Sequence, residues 1–292
     1  MIRGSIVAIV TPFKNGKIDE AIFKKLVEFQ IKNGTSAILP CGTTGESPTL
    51  STQEHERAIA ICIEAAQGRV PVMAGTGSNS TAEAVNLTKH AAKMGADAAL
   101  VVTPYYNKPT QEGLYLHFKA VADSVDIPII LYNIPGRCSR NIEPATMARL
   151  AADCKNIIGV KEAAGSLDQM QTIKQLCPGD FILLSGDDAL TLPLLSIGGE
   201  GVVSVVANIV PQDVSKMINL FNEGNIKGAQ EMHYQLLPLV KAMFVETNPA
   251  PVKTAMGLLG MCEDSLRLPL CPLSEASLSK LKSALKDYGL LK

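Results

Sequence analysis

The sequence predicts an α/β chain: eight parallel strands closed into a (β/α)8 TIM barrel, with additional C-terminal helices. Three observations predict it. Eight short runs are near-continuously apolar and β-branched, which is how parallel strands covered on both faces read. Longer segments with helical periodicity separate them. Strand starts recur every roughly 20–34 residues, the length of a βα unit.

The first run, 6–10, leads into Thr11-Pro12-Phe13. It lacks the glycine cluster that would follow the first strand of a doubly wound nucleotide-binding sheet. In 19–33, Ile22, Phe23, Leu26, Val27, Phe29 and Ile31 recur at helical spacing. Asp19 is placed to cap that helix and Gly34 to end it. Strands follow at 37–40 and 71–75, then a helix over 81–94 with Gly95 after it. The remaining strands are 98–103, 127–132, 157–161, 181–185 and 201–205. From about 211 onward the pattern is helical with no convincing strand. Those helices are expected outside the barrel or in a subunit contact. No linker divides the chain. The expected organisation is a catalytic barrel over 1–224 and a helical extension over 225–292.

Composition narrows the function. The chain carries 27 Lys+Arg against 28 Asp+Glu, so no basic excess exists to hold nucleic acid. With 47% hydrophobic and 19% charged residues it can bury a full core. Trp is absent and aromatics make up 4%, so that core must be aliphatic. The 7 cysteines are scattered without a Cys-x-x-Cys pair, which reads as reduced thiols in a cytoplasmic protein. No secretory segment or bilayer-spanning apolar stretch is recognised, so no membrane partner is expected. Neither histidines nor cysteines have metal-ligand spacing, and the dinucleotide and phosphate-loop fingerprints are missing. The expected chemistry therefore needs neither metal nor cofactor.

In such barrels the chemistry sits at the C-terminal ends of the strands. After the second run comes Gly42-Thr43-Thr44-Gly45-Glu46-Ser47, whose glycines and hydroxyls suit a small anion nest, and equally an ordinary βα turn. Tyr105, Tyr106 and Tyr132, half of the 6 tyrosines, all lie at strand ends. They suggest a proton path, although any one could be packing. The sharpest signal is Lys161, closing Ile157-Ile158-Gly159-Val160-Lys161-Glu162. An ammonium there is expensive to desolvate, and burial would free the amine as a nucleophile for a carbonyl carbon. If Lys161 faces inward with Ile157 and Gly159, Glu162 faces the helices. A lysine snorkelling to solvent is the bland reading. Asp187 and Asp188 follow the seventh run and would repel phosphate, although Asp188 could instead cap the next helix. Arg137, beside Pro135 and Gly136, could grip a carboxylate or simply be a surface arginine.

Gly42-Thr43-Thr44-Gly45-Glu46, Tyr132-Asn133-Ile134-Pro135-Gly136-Arg137 and Val160-Lys161-Glu162-Ala163, in this order, resemble the signature segments of the pyruvate-dependent class I aldolases. The resemblance covers nearly the whole chain. It implies that Lys161 forms a Schiff base with pyruvate, and that Tyr132, Thr43 and Tyr106 relay protons. Thr44 and the adjacent amides, Gly45 among them, would hold the pyruvate carboxylate. Gly186 and Val203 would line the pocket. Arg137 would receive the carboxylate of L-aspartate-4-semialdehyde, which favours members using that substrate over N-acetylneuraminate lyases and other 2-keto acid aldolases of the family. Tyr106 would reach a neighbouring subunit's site, implying a homo-oligomer, a dimer at least and commonly a tetramer. Ser47, His55, Asn79, Glu83 and Tyr105 match a cleft where L-lysine inhibits some relatives. Pro48 and Thr52 depart from the lysine-sensitive pattern.

Overall fold

The computed structural model describes residues 2–292. Its eight parallel strands are Gly4–Ala8, Ala37–Leu39, Met73–Gly75, Ala98–Val102, Ile129–Asn133, Ile157–Glu162, Ile182–Ser185 and Gly201–Ser204, counted below as strands one to eight. Each of the eight predicted runs overlaps one. Strand one pairs with strand eight (Gly4 with Gly201) and with strand two (Ile6 with Ala37). A bridge between Ile38 and Val72 joins strands two and three, so the sheet closes on itself.

Strand one starts two residues before the predicted run and stops earlier. Gly4 and Ser5 are drawn into the ladder by strand eight. Val10, still buried, donates its N–H to the Asn208 side chain instead (3.1 Å).

Helices cover the outside as the periodicity predicts. In Glu20–Lys32, Asp19 accepts from the Ile22 N–H (3.1 Å), and Gly34 turns the chain with φ +81°. Helix Thr81–Met94 ends at Gly95, φ +93°. Inside the barrel, Ile6, Ala8, Leu39, Met73, Leu100, Ile130, Leu184 and Val203 form one apolar cluster. Strand residues of opposite parity, such as Val101, Leu131 and Val160, pack against the helices.

The inward parity expected for strand six is corrected in one place. Ile157 lies in the outer layer, while Lys161 faces inward. The cause is a register shift: Ile129 pairs with Ile157 but Ile130 with Gly159, leaving Ile158 as an extra residue.

The tail forms helices Ile226–Ala242, Ala250–Leu258 and Glu275–Asp287. Met232, Leu239, Leu281 and Leu285 join the same apolar cluster as Val7, Ile38 and Val202 of the strands. We propose the division after residue 224 because Gly224 (φ +81°) turns the chain there, although a continuous core crosses it. The tail is not confined to the outside. Asn248 and Lys253 reach the C-terminal mouth of the barrel, where they contact Thr44 and Glu46.

Gly159 tests the packing of strand six. A Cβ there would lie 2.5 Å from the Ile182 carbonyl oxygen and 2.7 Å from the Ile182 Cβ. Gly159→Ala should lower unfolding stability by about 1–3 kcal/mol in urea denaturation. An unchanged midpoint would mean that the strands separate more easily than this geometry allows.

Candidate active site

Lys161, next to last in strand six, faces into the barrel and is only 6% exposed. Its Nζ lies 4.1 Å from the centroid of the Tyr132 ring. The pairing explains the approach, because Tyr132 and Lys161 are register partners on adjacent strands. Gly186 leaves room for the amine: a Cβ there would meet the Lys161 Cε at 3.1 Å and the Ala163 Cβ at 2.6 Å. Burial pulls the Lys161 pKa down to about 7. Asp188 opposes that fall and the Arg137 charge adds to it. A sizeable fraction of the amine is therefore neutral, and nucleophilic, near neutral pH.

The outward neighbours of this pair fix it in place. Glu162 is fully buried and accepts from the Ala164 N–H (2.7 Å), from the Asn133 side chain (2.9 Å) and from Gln169 (3.0 Å). Desolvation raises its carboxyl pKa, and those donors oppose the rise. Asn133 Oδ1 also accepts from the Ile142 N–H (2.9 Å), tying down the loop that carries Arg137. Tyr132 and Lys161 thus each sit beside a residue locked on the other face of its strand.

Burial pushes the Tyr132 phenol up to about 12, while the Arg137 charge and the neighbouring Thr43 hydroxyl pull it down. The phenol keeps its proton near neutrality and can pass it to a partner. Thr43 and Tyr132 border a cavity of about 360 Å³, shared with Arg137. Arg137 stands on the short helix Pro135–Cys138, and its guanidinium donates to the Asn248 carbonyl (3.2 Å). Thr44 is buried, and its hydroxyl accepts from the Asn248 side chain (3.0 Å).

Gly45 serves the loop through its backbone. Its N–H donates to the Gly42 carbonyl (3.1 Å), and its own carbonyl accepts from the Thr11 hydroxyl (2.7 Å). A Cβ there would lie 3.1 Å from both Cys41 N and Ile9 O. Val203 points into the barrel among the interior residues.

The paired aspartates divide their work. Asp187, one residue before the position considered for capping, caps the short helix Asp188–Leu190 by accepting from the Ala189 N–H (2.9 Å). Asp188 is buried and accepts from the Val205 N–H (2.9 Å). Burial raises its carboxyl pKa, and hydrogen bonds from Ser204, Val205 and Val206 oppose the rise. Asp188 favours the charged form of Lys161 and does not cap a helix.

Tyr106 does not join the buried pair within one chain. Its side chain is 90% exposed, and its backbone holds the left-handed conformation at φ +71°. Ser47, His55, Glu83 and Tyr105 border the same cavity as Thr43, as do Pro48 and Thr52. The His55 Nε2 bonds the Gly75 carbonyl (2.8 Å), while its Nδ1 is buried without a partner. Glu83 accepts from the Ser78 hydroxyl. Asn79 lies beside this wall, its carbonyl accepting from Asn107 (2.8 Å). No group of His, Cys, Asp or Glu among the described residues is arranged to hold a metal ion.

The sequence profile of the dihydrodipicolinate synthetase family matches residues 1–288. The chain belongs to that family. Across all 292 residues it is 61% identical to the 4-hydroxy-tetrahydrodipicolinate synthase of Endomicrobium trichonymphae, covering 100% of both chains. A solved synthase of that name, from Methylacidiphilum fumariolicum SolV, superposes with a TM-score of 0.98 at 49% identity. That match covers 99% of this chain and 96% of the other. A dihydrodipicolinate synthase from Cyanidioschyzon merolae, solved with lysine bound, matches at 43% identity and a TM-score of 0.96 over 99% of each chain. Membership in the dihydrodipicolinate synthetase family agrees with the barrel and with the resemblance carried by the three motif segments.

Two residues of the mouth, Asn248 and Lys253, escaped the sequence reading. Lys253 sits in a helix and pairs with Glu46, more than two hundred positions away, so no local spacing marks it.

The lowered pKa of Lys161 has a measurable sign. Below about pH 7 its amine is mostly protonated and unreactive; above, it is free. Reductive methylation with formaldehyde, followed residue by residue with peptide mass spectrometry, should rise about tenfold per pH unit up to that point for Lys161, then level off. Exposed lysines should keep rising towards their ordinary pKa of about 10.4. An inflection of Lys161 shared with the exposed lysines would contradict its desolvation.

Proposed function

We propose that the chain is a 4-hydroxy-tetrahydrodipicolinate synthase. It condenses pyruvate with L-aspartate-4-semialdehyde in diaminopimelate and lysine biosynthesis. Family membership and the full-length relatives support this activity. The observation that carries the chemistry is the desolvated amine of Lys161 against the Tyr132 ring.

The Lys161 amine adds to the C2 carbonyl of pyruvate and water leaves, giving an imine. The protonated imine acidifies the adjacent methyl group, whose lost proton leaves an enamine. The enamine carbon attacks the semialdehyde's aldehyde carbon, and the aldehyde oxygen takes up a proton to become a hydroxyl. The semialdehyde's amine then adds to the imine carbon, closes the ring and expels Lys161 as the free amine. Tyr132, protonated and beside Thr43, is suited to deliver and collect these protons. Thr44 binds the pyruvate carboxylate, Gly45 shapes its loop, and Gly186 and Val203 leave space for the adduct. Arg137, on the cavity wall, takes the semialdehyde carboxylate. That assignment disfavours a sugar-acid lyase.

Tyr106, an exposed aromatic on a left-handed backbone, completes the site of a second copy. The active unit is then at least a dimer, and we place it as a tetramer in the cytoplasm. Among the described residues no helix is long and apolar enough to cross a membrane. L-lysine binds at the outer end of the cavity. There the unpartnered Nδ1 of His55 can accept from an ammonium, and Glu83 can oppose its charge.

Arg137→Ala should lower kcat/KM for the semialdehyde about 10–100-fold, the loss expected for a charged hydrogen bond. Formation of the pyruvate adduct should survive. Equal retention of both would remove Arg137 from the site. Titration with L-lysine should depress the condensation rate at millimolar concentration, and His55→Ala should relieve that inhibition. A rate unaffected by L-lysine in the unaltered protein would remove the regulatory reading.

A further inference from the structure

The mouth of the barrel contains a fully buried ion pair that the catalytic steps do not use. Lys253 and Glu46 both have 0% side-chain exposure, with Nζ 2.6 Å from Oε1. Such a pair gives weak net stability, because two desolvation penalties offset its attraction. Its geometry here is unusually complete. The Lys253 amine also donates to the Thr11 carbonyl (3.0 Å) and the Ser265 carbonyl (2.6 Å), so all three of its protons have acceptors. It lies 4.3 Å from the Phe13 ring centroid. The second oxygen of Glu46 accepts from the Arg267 N–H (3.1 Å).

The location suggests what the pair is for. Glu46 ends the segment 42–46 that carries Thr43 and Thr44. Its backbone is left-handed at φ +55°, as is that of Cys41 (φ +57°) just before the segment. Non-glycine residues hold such angles only when their surroundings impose them. Inside the curl, Gly45 and Glu46 donate to the carbonyls of Gly42 and Thr43 (both 3.1 Å). Those bonds alone would suit several turns. The Lys253 grip on the Glu46 side chain selects this one. A second tether runs in parallel: Asn248, just ahead of the helix Ala250–Leu258 that carries Lys253, donates to the Thr44 hydroxyl.

We propose that Glu46 and Lys253 are positioning residues that hold the Thr44 loop in its carboxylate-binding curl. They make the pyruvate site depend on a helix of the C-terminal tail. This rests on the reading that Thr44 binds the pyruvate carboxylate. Neither residue touches a reacting atom, so their effect should appear as a selective loss of pyruvate binding.

The test compares steady-state kinetics of the full-length Glu46→Gln, Lys253→Arg and Glu46→Gln/Lys253→Met proteins with those of Thr44→Val. Glu46→Gln strands a buried ammonium and can destabilise the whole chain. The double variant removes both charges at similar volume and is expected to fold. In the folded variants KM for pyruvate should rise about tenfold or more, with KM for the semialdehyde within about twofold and kcat nearly kept. If either single variant fails to fold, the double variant decides. A folded double variant with unchanged pyruvate KM overturns the proposal, as does a loss of kcat with both KM values unchanged. The two readings separate cleanly: if Thr44→Val leaves pyruvate KM unchanged, the Thr44 assignment has failed. If Thr44→Val raises it and the pair variants do not, only the positioning role has failed.

Discussion

An amine that must be able to shed its charge inside a protein sets conditions on everything around it. Lys161 sits at the inner end of an apolar strand, and burial pulls its pKa down to about 7. The closed barrel supplies the low-dielectric surroundings. Gly159 and Gly186 supply space, the first for strand approach and the second for the side chain itself. Asp188 keeps the shift from running further by favouring the ammonium, while backbone N–H groups after strand eight oppose the rise that burial imposes on its own carboxyl. The result is an amine near the midpoint of its titration at physiological pH, where both the nucleophile and its protonated imine are accessible.

The polar residues around this amine are held from behind. Glu162 and Asn133 face away from the cavity, yet they bind each other and the neighbouring loop, and so fix the strand ends that carry Lys161 and Tyr132. On the opposite side of the mouth, Asn248 contacts both Thr44 and Arg137, through its side chain and its carbonyl respectively. In the proposed reaction these are the binding residues for the two substrate carboxylates. A single residue of the tail therefore touches both.

Much of this was legible in the sequence because it is local. Eight apolar runs at βα spacing mark the barrel. Lys161 and Tyr132 are conspicuous because each interrupts an apolar run at the end where barrels do chemistry. The shift at Ile158 was not legible, since one extra residue changes strand parity without changing composition. Nor was the division between Asp187 and Asp188, where adjacent identical residues differ only in which way the chain turns them. The contribution of the tail was hidden for another reason. Lys253 and Asn248 lie in or beside an ordinary helix, and only closure of the barrel brings them to residues 46 and 44. Tyr106 shows a further limit, because its proposed partner belongs to another copy of the chain.

Everything in the proposed reaction depends on the desolvated amine of Lys161 being the nucleophile. The most direct measurement incubates the protein with pyruvate, reduces with borohydride and maps the adduct by peptide mass spectrometry. One stoichiometric adduct should form, on Lys161, absent without pyruvate and absent from Lys161→Ala. An adduct on any other lysine, or none, would contradict it.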